Sequence, residues 1–429
     1  MNSNSQKETL EKRPKMNRNI VAALGGVVLE AYNNTLYGYF AVILAPLFFH
    51  EEMGISPITG SFLAFAAGYL GRPFGGILFG YLGDRFGRKT SLTISSLLTS
   101  IPIFTIGILP DYSSAGLLAP ILLVICRLLQ GIAIGGDYTG ALIYVAEQRG
   151  IKKKSLITCI LTSIGFFGAS FGVIVSLFFS TSIIFSGSWR YSFISAALIG
   201  LYIAYLRSQM DESQSYTQLK KENNLEQNPM LASFKKDKKK LFACCILGGA
   251  NFVPVYLATI YINLDWRELL SFSTEGILVN NLSMFLLGGL LILLASPIIA
   301  RFGEIKIMKI CMLWFLIPAL PIYIWAYQNL SVASLTVIQI YLIFGNAFQV
   351  AALSCVLPKL FPPNRRYSGV GFSYALGTAL LGGTTPLIAS WTVKISSLLW
   401  APAFFLFALA VLYGVAIKII EKPAKEIIG

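Results

Sequence analysis

The chain alternates long apolar runs with short polar connections. About 20 helical residues at 1.5 Å each cross the hydrocarbon core of a bilayer, so each apolar run of that length or more reads as a spanning helix. Twelve such runs predict helices α1 to α12 over roughly 19–49, 59–82, 89–110, 116–147, 155–181, 189–207, 241–263, 275–299, 306–327, 331–360, 367–394 and 398–418. The first, fourth and tenth are long enough to include tilt or a short turn outside the membrane. The longest polar connection, from about Ser208 to Lys240, is rich in Lys, Glu, Asn and Gln and splits the helices six and six. The expected layout is a tail over 1–18, a six-helix bundle over 19–207, a linker over 208–240, a second six-helix bundle over 241–420 and a tail over 421–429. This is an all-α membrane protein of twelve transmembrane helices in two pseudo-symmetric bundles.

Composition agrees with that layout. Of 429 residues, 55% are hydrophobic and 13% charged, against about 25% charged in soluble proteins. The net charge of +14 would suit nucleic acid, but its placement points elsewhere. With the termini and alternate connections on one side, that side holds 29 of the 34 Lys and Arg; Arg190, Arg267 and Lys394 face the other, and Arg72 and Arg127 lie inside helices. This positive-inside pattern puts both termini in the cytoplasm of a multi-pass inner-membrane protein. The runs Lys152-Lys153-Lys154 and Lys238-Lys239-Lys240 then read as topology signals, and no nucleic-acid partner is expected. The polar, basic first 18 residues lead into a run too long for a signal peptide, so α1 is expected to stay in the protein.

Six cysteines in apolar stretches lack metal-ligand spacing, and the single histidine, His50, sits at a helix end. Phosphate-cradling loops and nucleophile–base motifs are missing, so neither a cofactor nor an enzymatic activity is expected. The expected partners are a small-molecule substrate, protons and the lipid bilayer, and the expected state is a monomer.

The two halves carry a trace of repetition. Gly83-Asp84-Arg85-Phe86-Gly87-Arg88-Lys89 aligns with Ile299-Ala300-Arg301-Phe302-Gly303-Glu304-Ile305 at equivalent connections, sharing Arg-Phe-Gly. Parallel repeats of this kind place a transport site at their interface.

Gly80-Tyr81-Leu82-Gly83-Asp84-Arg85-Phe86-Gly87-Arg88-Lys89 resembles the signature of major facilitator carriers between helices 2 and 3. Within that superfamily the chain is similar to the metabolite:proton symporters, which include proline/betaine, shikimate, α-ketoglutarate and citrate carriers. Leu29-Glu30-Ala31-Tyr32-Asn33, Gly71-Arg72-Pro73-Phe74-Gly75 and the α4 stretch from Arg127-Leu128-Leu129-Gln130-Gly131 through Gly135-Gly136-Asp137-Tyr138 to Ala146-Glu147 carry the likeness. So do Arg366-Tyr367-Ser368-Gly369 and Gly382-Gly383-Thr384-Thr385-Pro386 in α11. Asn33 stands where the family usually has Asp, Asp137 where it has Glu, and Ala300 and Glu304 interrupt the second copy of the turn motif. The resemblance implies a gate of Gly83, Asp84, Arg85, Gly87, Arg88 and Glu147 on the cytoplasmic side, with a weaker counterpart between α8 and α9.

Ionisable groups deep in a bilayer are costly and mark sites by default. Glu30, Arg72, Arg127 and Asp137 are such groups, and their charges cancel, which predicts compensating pairs across α1, α2 and α4. Arg127 and Asp137 are ten residues, about 15 Å, apart on one helix and cannot pair with each other. Glu30, Asn33, Asn34 and Tyr37 fall on one stripe of α1; Arg127, Gln130, Asp137 and Tyr144 fall on one of α4. The candidate proton-coupling acids are Glu30 and Asp137. The candidate substrate-binding set is Glu30, Asn33, Asn34, Tyr37, Arg72, Arg127, Asn251, Asn346 and Gln349. Gln339 shares the last two residues' helical face; such amides serve equally well as interhelical hydrogen bonds. No internal charge is expected in the second bundle, and Pro254, Pro318 and Pro358 are expected to kink it.

The reading is a secondary active importer of a small polar metabolite, a zwitterion such as an amino acid or betaine, by proton symport and alternating access. The alternatives are a dicarboxylate-type importer, an exporter of similar solutes, and a transport-dead sensor.

Overall fold

The computed structural model describes residues 3–50, 53, 54, 56–148, 154–180 and 189–421, and every regular element among them is helical. In the first half α1 is Ser3–Phe48, α2 Pro57–Arg85, α3 Arg88–Ile108, α4 Leu118–Glu147, α5 Lys154–Ser180 and α6 Trp189–Ser208. In the second, α7 is Lys238–Leu270, α8 Thr274–Phe302, α9 Glu304–Gln328 and α10 Val332–Lys359. The broken helix α11 covers 366–396, and α12 is Pro402–Glu421. All but α1 and α11 satisfy length and hydropathy for spanning on their own; those two complete the twelve. Large apolar side chains such as Leu70, Phe74, Leu198 and Leu387 point outward, as walls facing hydrocarbon must.

The helix ends add detail to two expected segments and correct one expectation. α1 is helical from Ser3, through residues expected as a tail. The linker is folded, with short helices at Gln214–Lys221 and Pro229–Lys236. α7 runs on to Leu270 rather than stopping at 263, and so buries Asp265, whose carboxylate accepts from Tyr327. The second half therefore does hold an internal acid.

Glycine sets how closely the first-half helices approach. A Cβ on Gly75 would lie 1.9 Å from the Ile132 carbonyl oxygen, and one on Gly135 would lie 2.1 Å from that of Arg72. The backbones of α2 and α4 therefore touch, as small residues allow in membranes. In the second half, proline and π-turns interrupt the spans. α7 breaks before Pro254 and passes through a π-helical turn at Leu257–Tyr261, and α11 has another at Thr378–Gly382. Pro318 divides α9, and Pro358 lies in the 3₁₀ turn that ends α10. Carbonyls freed at such breaks need donors from neighbouring helices. Asn346 of α10 supplies one to Asn251 O at 2.5 Å.

Candidate functional site

The site has three levels between the halves: the face carrying the α2–α3 turn (the motif face), the middle, and the far face. At the motif face Gly87, with φ +111°, swings the chain from α2 into α3. A Cβ there would be strained and would fall 2.1 Å from Glu212 Oε2. The turn delivers Asp84 and Arg88 inward, both fully buried. Arg88 reaches Asp84 at 3.2 Å and Glu147 at 3.1 Å, and donates to Gly83 O and, across the halves, Pro363 O, each at 2.7 Å. Asp84 accepts the backbone N–H of Tyr367 at 3.2 Å and of Ser368 at 2.8 Å, in the first turn of α11. A carboxylate there fills orphan amides and meets the positive end of that helix's dipole. Glu147 also takes Arg366 of the second half at 2.8 Å. Gly83 makes room for the Tyr367 ring, 1.9 Å from where its Cβ would be, and the Tyr367 hydroxyl donates to Gly136 O at 2.9 Å.

The linker completes this level. Glu212 accepts the N–H of Arg88 at 2.9 Å and of Lys89 at 3.3 Å, capping α3, and Ser213 donates to Glu147 at 2.6 Å. Burial pushes the Glu212 carboxyl above its usual range, against the pull of those amide bonds. Arg85 departs from its expected role in the latch. Its side chain joins no ion pair among the described residues; its carbonyl accepts from Tyr216 at 3.0 Å.

In the middle, the expected pairing of the four charged groups with one another does not occur. Asp137 pairs instead with Arg207 of α6, a fully buried residue that by position near a span end reads as one of the basic topology signals. Ser95 donates to the same carboxylate at 2.5 Å. Arg72 and Arg127 have no carboxylate partner among the described residues. Arg72 lies over the Tyr69 ring at 4.1 Å, and Arg127 over Tyr37 at 4.0 Å while donating to Gln130 at 2.7 Å; the Nε of each is buried and unpartnered. Glu30 Oε2 and Asn33 Oδ1 are likewise buried without hydrogen-bond partners among the described residues, and Asn34 is half-buried. Glu30 and Asp137 border one small cavity, with Gly26, Ser96 and Thr99 among its other walls.

Six rings cross from one half to the other at this depth. Phe65 and Tyr69 meet at 5.3 Å, Tyr69 and Tyr256 at 6.2 Å with their hydroxyls 2.5 Å apart, and Tyr256 and Phe252 at 5.6 Å. Phe252 and Tyr374 follow at 6.0 Å, then Tyr374 and Tyr138 at 5.5 Å. Asn251 Oδ1 is buried without a hydrogen-bond partner among the described residues. Two amide candidates leave this level. Asn346 is spent on the α7 break, and Gln349 faces a cavity inside the second half, lined by α7, α9, α10 and α12.

The far face is closed by amides. Asn281 of α8 donates to Tyr39 of α1 at 2.6 Å, a contact between the halves, and to Thr259 O at 3.2 Å. Asn263 donates to Asn281 at 3.0 Å, Gln339 to Ala258 O at 2.8 Å, and Asn280 to Gln339 at 2.8 Å. The accepting carbonyls, Ala258 and Thr259, belong to the π-turn of α7. Sequence reasoning missed Asn263, Asn280 and Asn281, although amides inside apolar runs were the available signal.

Against known proteins, a family model described as sugar (and other) transporter matches residues 18–242. The proline/betaine transporter of Escherichia coli (strain K12) is 30% identical over 426 residues, covering 94% of this chain and 84% of that protein. The glycine betaine/proline/ectoine/pipecolic acid transporter OusA of Dickeya dadantii is 31% identical over 419 residues, covering 93% and 82%. Among solved structures, the proton:xylose symporter XylE bound to 6-bromo-6-deoxy-D-glucose superposes with a TM-score of 0.78 at 17% identity, covering 96% of each chain. The human organic anion transporter MFSD10 (TETRAN) gives 0.66 at 16% identity, covering 94% of this chain and 99% of that one.

Proposed function

Since the chain belongs to the sugar (and other) transporter family of the major facilitator superfamily, we propose that it imports a small zwitterion of the betaine or proline kind by proton symport. The observation that carries this is the belt of six rings built from both halves, with Arg72 lying on it. Aromatic faces attract ammonium groups, including fully methylated ones that cannot donate a hydrogen bond. The unpartnered Nε of Arg72 offers a charge-assisted bond to a carboxylate. A zwitterion needs both features, a few ångströms apart. The names of the relatives at about 30% identity support the same solute class.

Glu30 suits the proton carrier, because it is the acid of this level that lacks an ion-pair partner among the described residues. The distribution of Lys and Arg supports a cytoplasmic motif face in a bacterial inner membrane, with both termini on that side. Alternating access then breaks charged contacts to open inward and amide contacts to open outward. A monomer suffices, as the belt is complete within one chain. Arg127 favours the dicarboxylate alternative, because a second unpaired guanidinium could hold a second carboxylate.

Proteoliposome uptake decides between them. Radiolabelled glycine betaine and proline should accumulate under an inward proton gradient, and Tyr256→Ala should weaken their apparent affinity about tenfold, roughly 1.4 kcal/mol. Accumulation of a dicarboxylate with neither zwitterion carried would overturn the reading.

A further inference from the structure

Arg207 is held more completely than any resident of a water-filled cavity needs to be. Its Nε donates to Ala22 O at 3.2 Å; one terminal nitrogen donates to Leu92 O at 3.0 Å, Ser96 Oγ at 2.8 Å and Asp137 Oδ1. The other donates to Ala23 O at 3.0 Å and Asp137 Oδ2 at 3.1 Å. All five guanidinium N–H groups are therefore used. The contacts tie α6 to α1, α3 and α4. They depend on Gly26, whose Cβ would lie 2.0 Å from the guanidinium. No comparable set of donors reaches Glu30, although Glu30 and Asp137 border the same small cavity.

Two acids of one cavity thus stand in opposite situations. Protonating Asp137 would forfeit a two-pronged ion pair and strand a buried cation, whereas protonating Glu30 breaks no ion pair among the described residues. We infer that Arg207 is a positioning residue that engages Asp137 in a neutral, fully hydrogen-bonded pair and so leaves Glu30 as the single proton carrier. The inference rests on the proton-symport reading and specifies which acid works within it. The groups facing Asp137 are Arg207 of α6, Ser95 of α3, Glu30 of α1 and Tyr367 of α11. Those facing Glu30 are Asp137 and Tyr138 of α4, Arg72 of α2, Arg207 of α6, Tyr256 of α7 and Tyr374 of α11. Of the carboxylates in these sets, one is clamped and one is not.

The pair also changes the charge sum. Arg72, Arg127 and Arg207 against Glu30 and Asp137 leave one buried positive charge in excess, which rises by one more when Glu30 is protonated. A proton on Glu30 therefore strengthens the pull on a solute carboxylate, which couples the two ligands through electrostatics alone.

The test uses radiolabelled glycine betaine in proteoliposomes, comparing solute exchange, which needs no net proton, with uphill uptake across a pH gradient. The double variant Asp137→Asn/Arg207→Gln removes both charges together. It is expected to accumulate solute to the parent's final ratio, more slowly, with the parent's pH midpoint. Arg207→Gln alone should shift that midpoint, because it leaves the Asp137 carboxylate without its ion-pair partner beside Glu30, and Arg207→Lys should restore it. Glu30→Gln should lose accumulation entirely. A double variant that exchanges solute but cannot accumulate it would overturn the inference while leaving proton symport standing. Undiminished uphill uptake by Glu30→Gln would instead overturn Glu30 as carrier. Should the double variant not fold, the parent's proton:solute ratio decides: one proton per solute supports a single carrier, and two refutes it.

Discussion

The α2–α3 and α8–α9 turns share Arg-Phe-Gly and the same backbone, with Gly87 at φ +111° and Gly303 at φ +84°. Their side chains do opposite things. In the first, Asp84 and Arg88 are fully buried and reach across to α11 and Pro363. In the second, alanine stands at 300 in place of the Asp, and Glu304 in place of the Arg, half-buried, pairs with the exposed Lys359 at 2.5 Å within its own half. Gly87 is packed against Glu212, while a Cβ on Gly303 would meet nothing within 4 Å. The turn geometry is thus common to both copies, whereas the buried charge network that crosses between the halves belongs to the first alone among the described residues. One face is thus joined across the halves mainly by buried charge, and the opposite face carries the Asn281–Tyr39 hydrogen bond.

The largest effect should come from Asp84→Asn. It removes the anion capping α11 and leaves Arg88 buried with one carboxylate fewer, a loss of about 3–5 kcal/mol for a buried pair. Spin-label distances between α2 and α11 should report a motif face that opens; unchanged closure would break the comparison. Next in size are the glycines. Gly83→Ala drives a methyl into the Tyr367 ring and should open the same face, whereas Gly303→Ala should cost only left-handed strain, about 1–2 kcal/mol, with no change in gating. Equal gating defects in both would show that backbone, rather than packing, sets the latch. The smallest effect belongs to Glu304→Ala. An exposed pair of this kind is worth less than about 1 kcal/mol and fades in salt, so thermal unfolding should shift slightly at low ionic strength and not at high.

The sequence was most informative where the physics is local. Apolar runs located all twelve spans to within a few residues at most ends, and the motif turn was legible as a string. α7 was underestimated because Asn263 and Asp265 read as a polar end; in the fold Asn281 and Tyr327 satisfy them. Gln339 and Gln349 looked like members of one polar face, yet one serves the far-face closure and the other a cavity inside its own half.

What the chain alone determined was how many helices cross and four of the charges carried at depth, Glu30, Arg72, Arg127 and Asp137, but not Arg207 or Asp265, because hydropathy and periodicity act over one helix at a time. Which charge meets which was decided by the tertiary structure. Asp137 finds Arg207 seventy positions away, and Asp84 finds the first turn of α11 more than 280 positions away. Those partnerships follow from which helix faces are brought into contact. An arginine near a span end has the same local sequence character whether it sits at the membrane surface or, as here, clamps a buried acid.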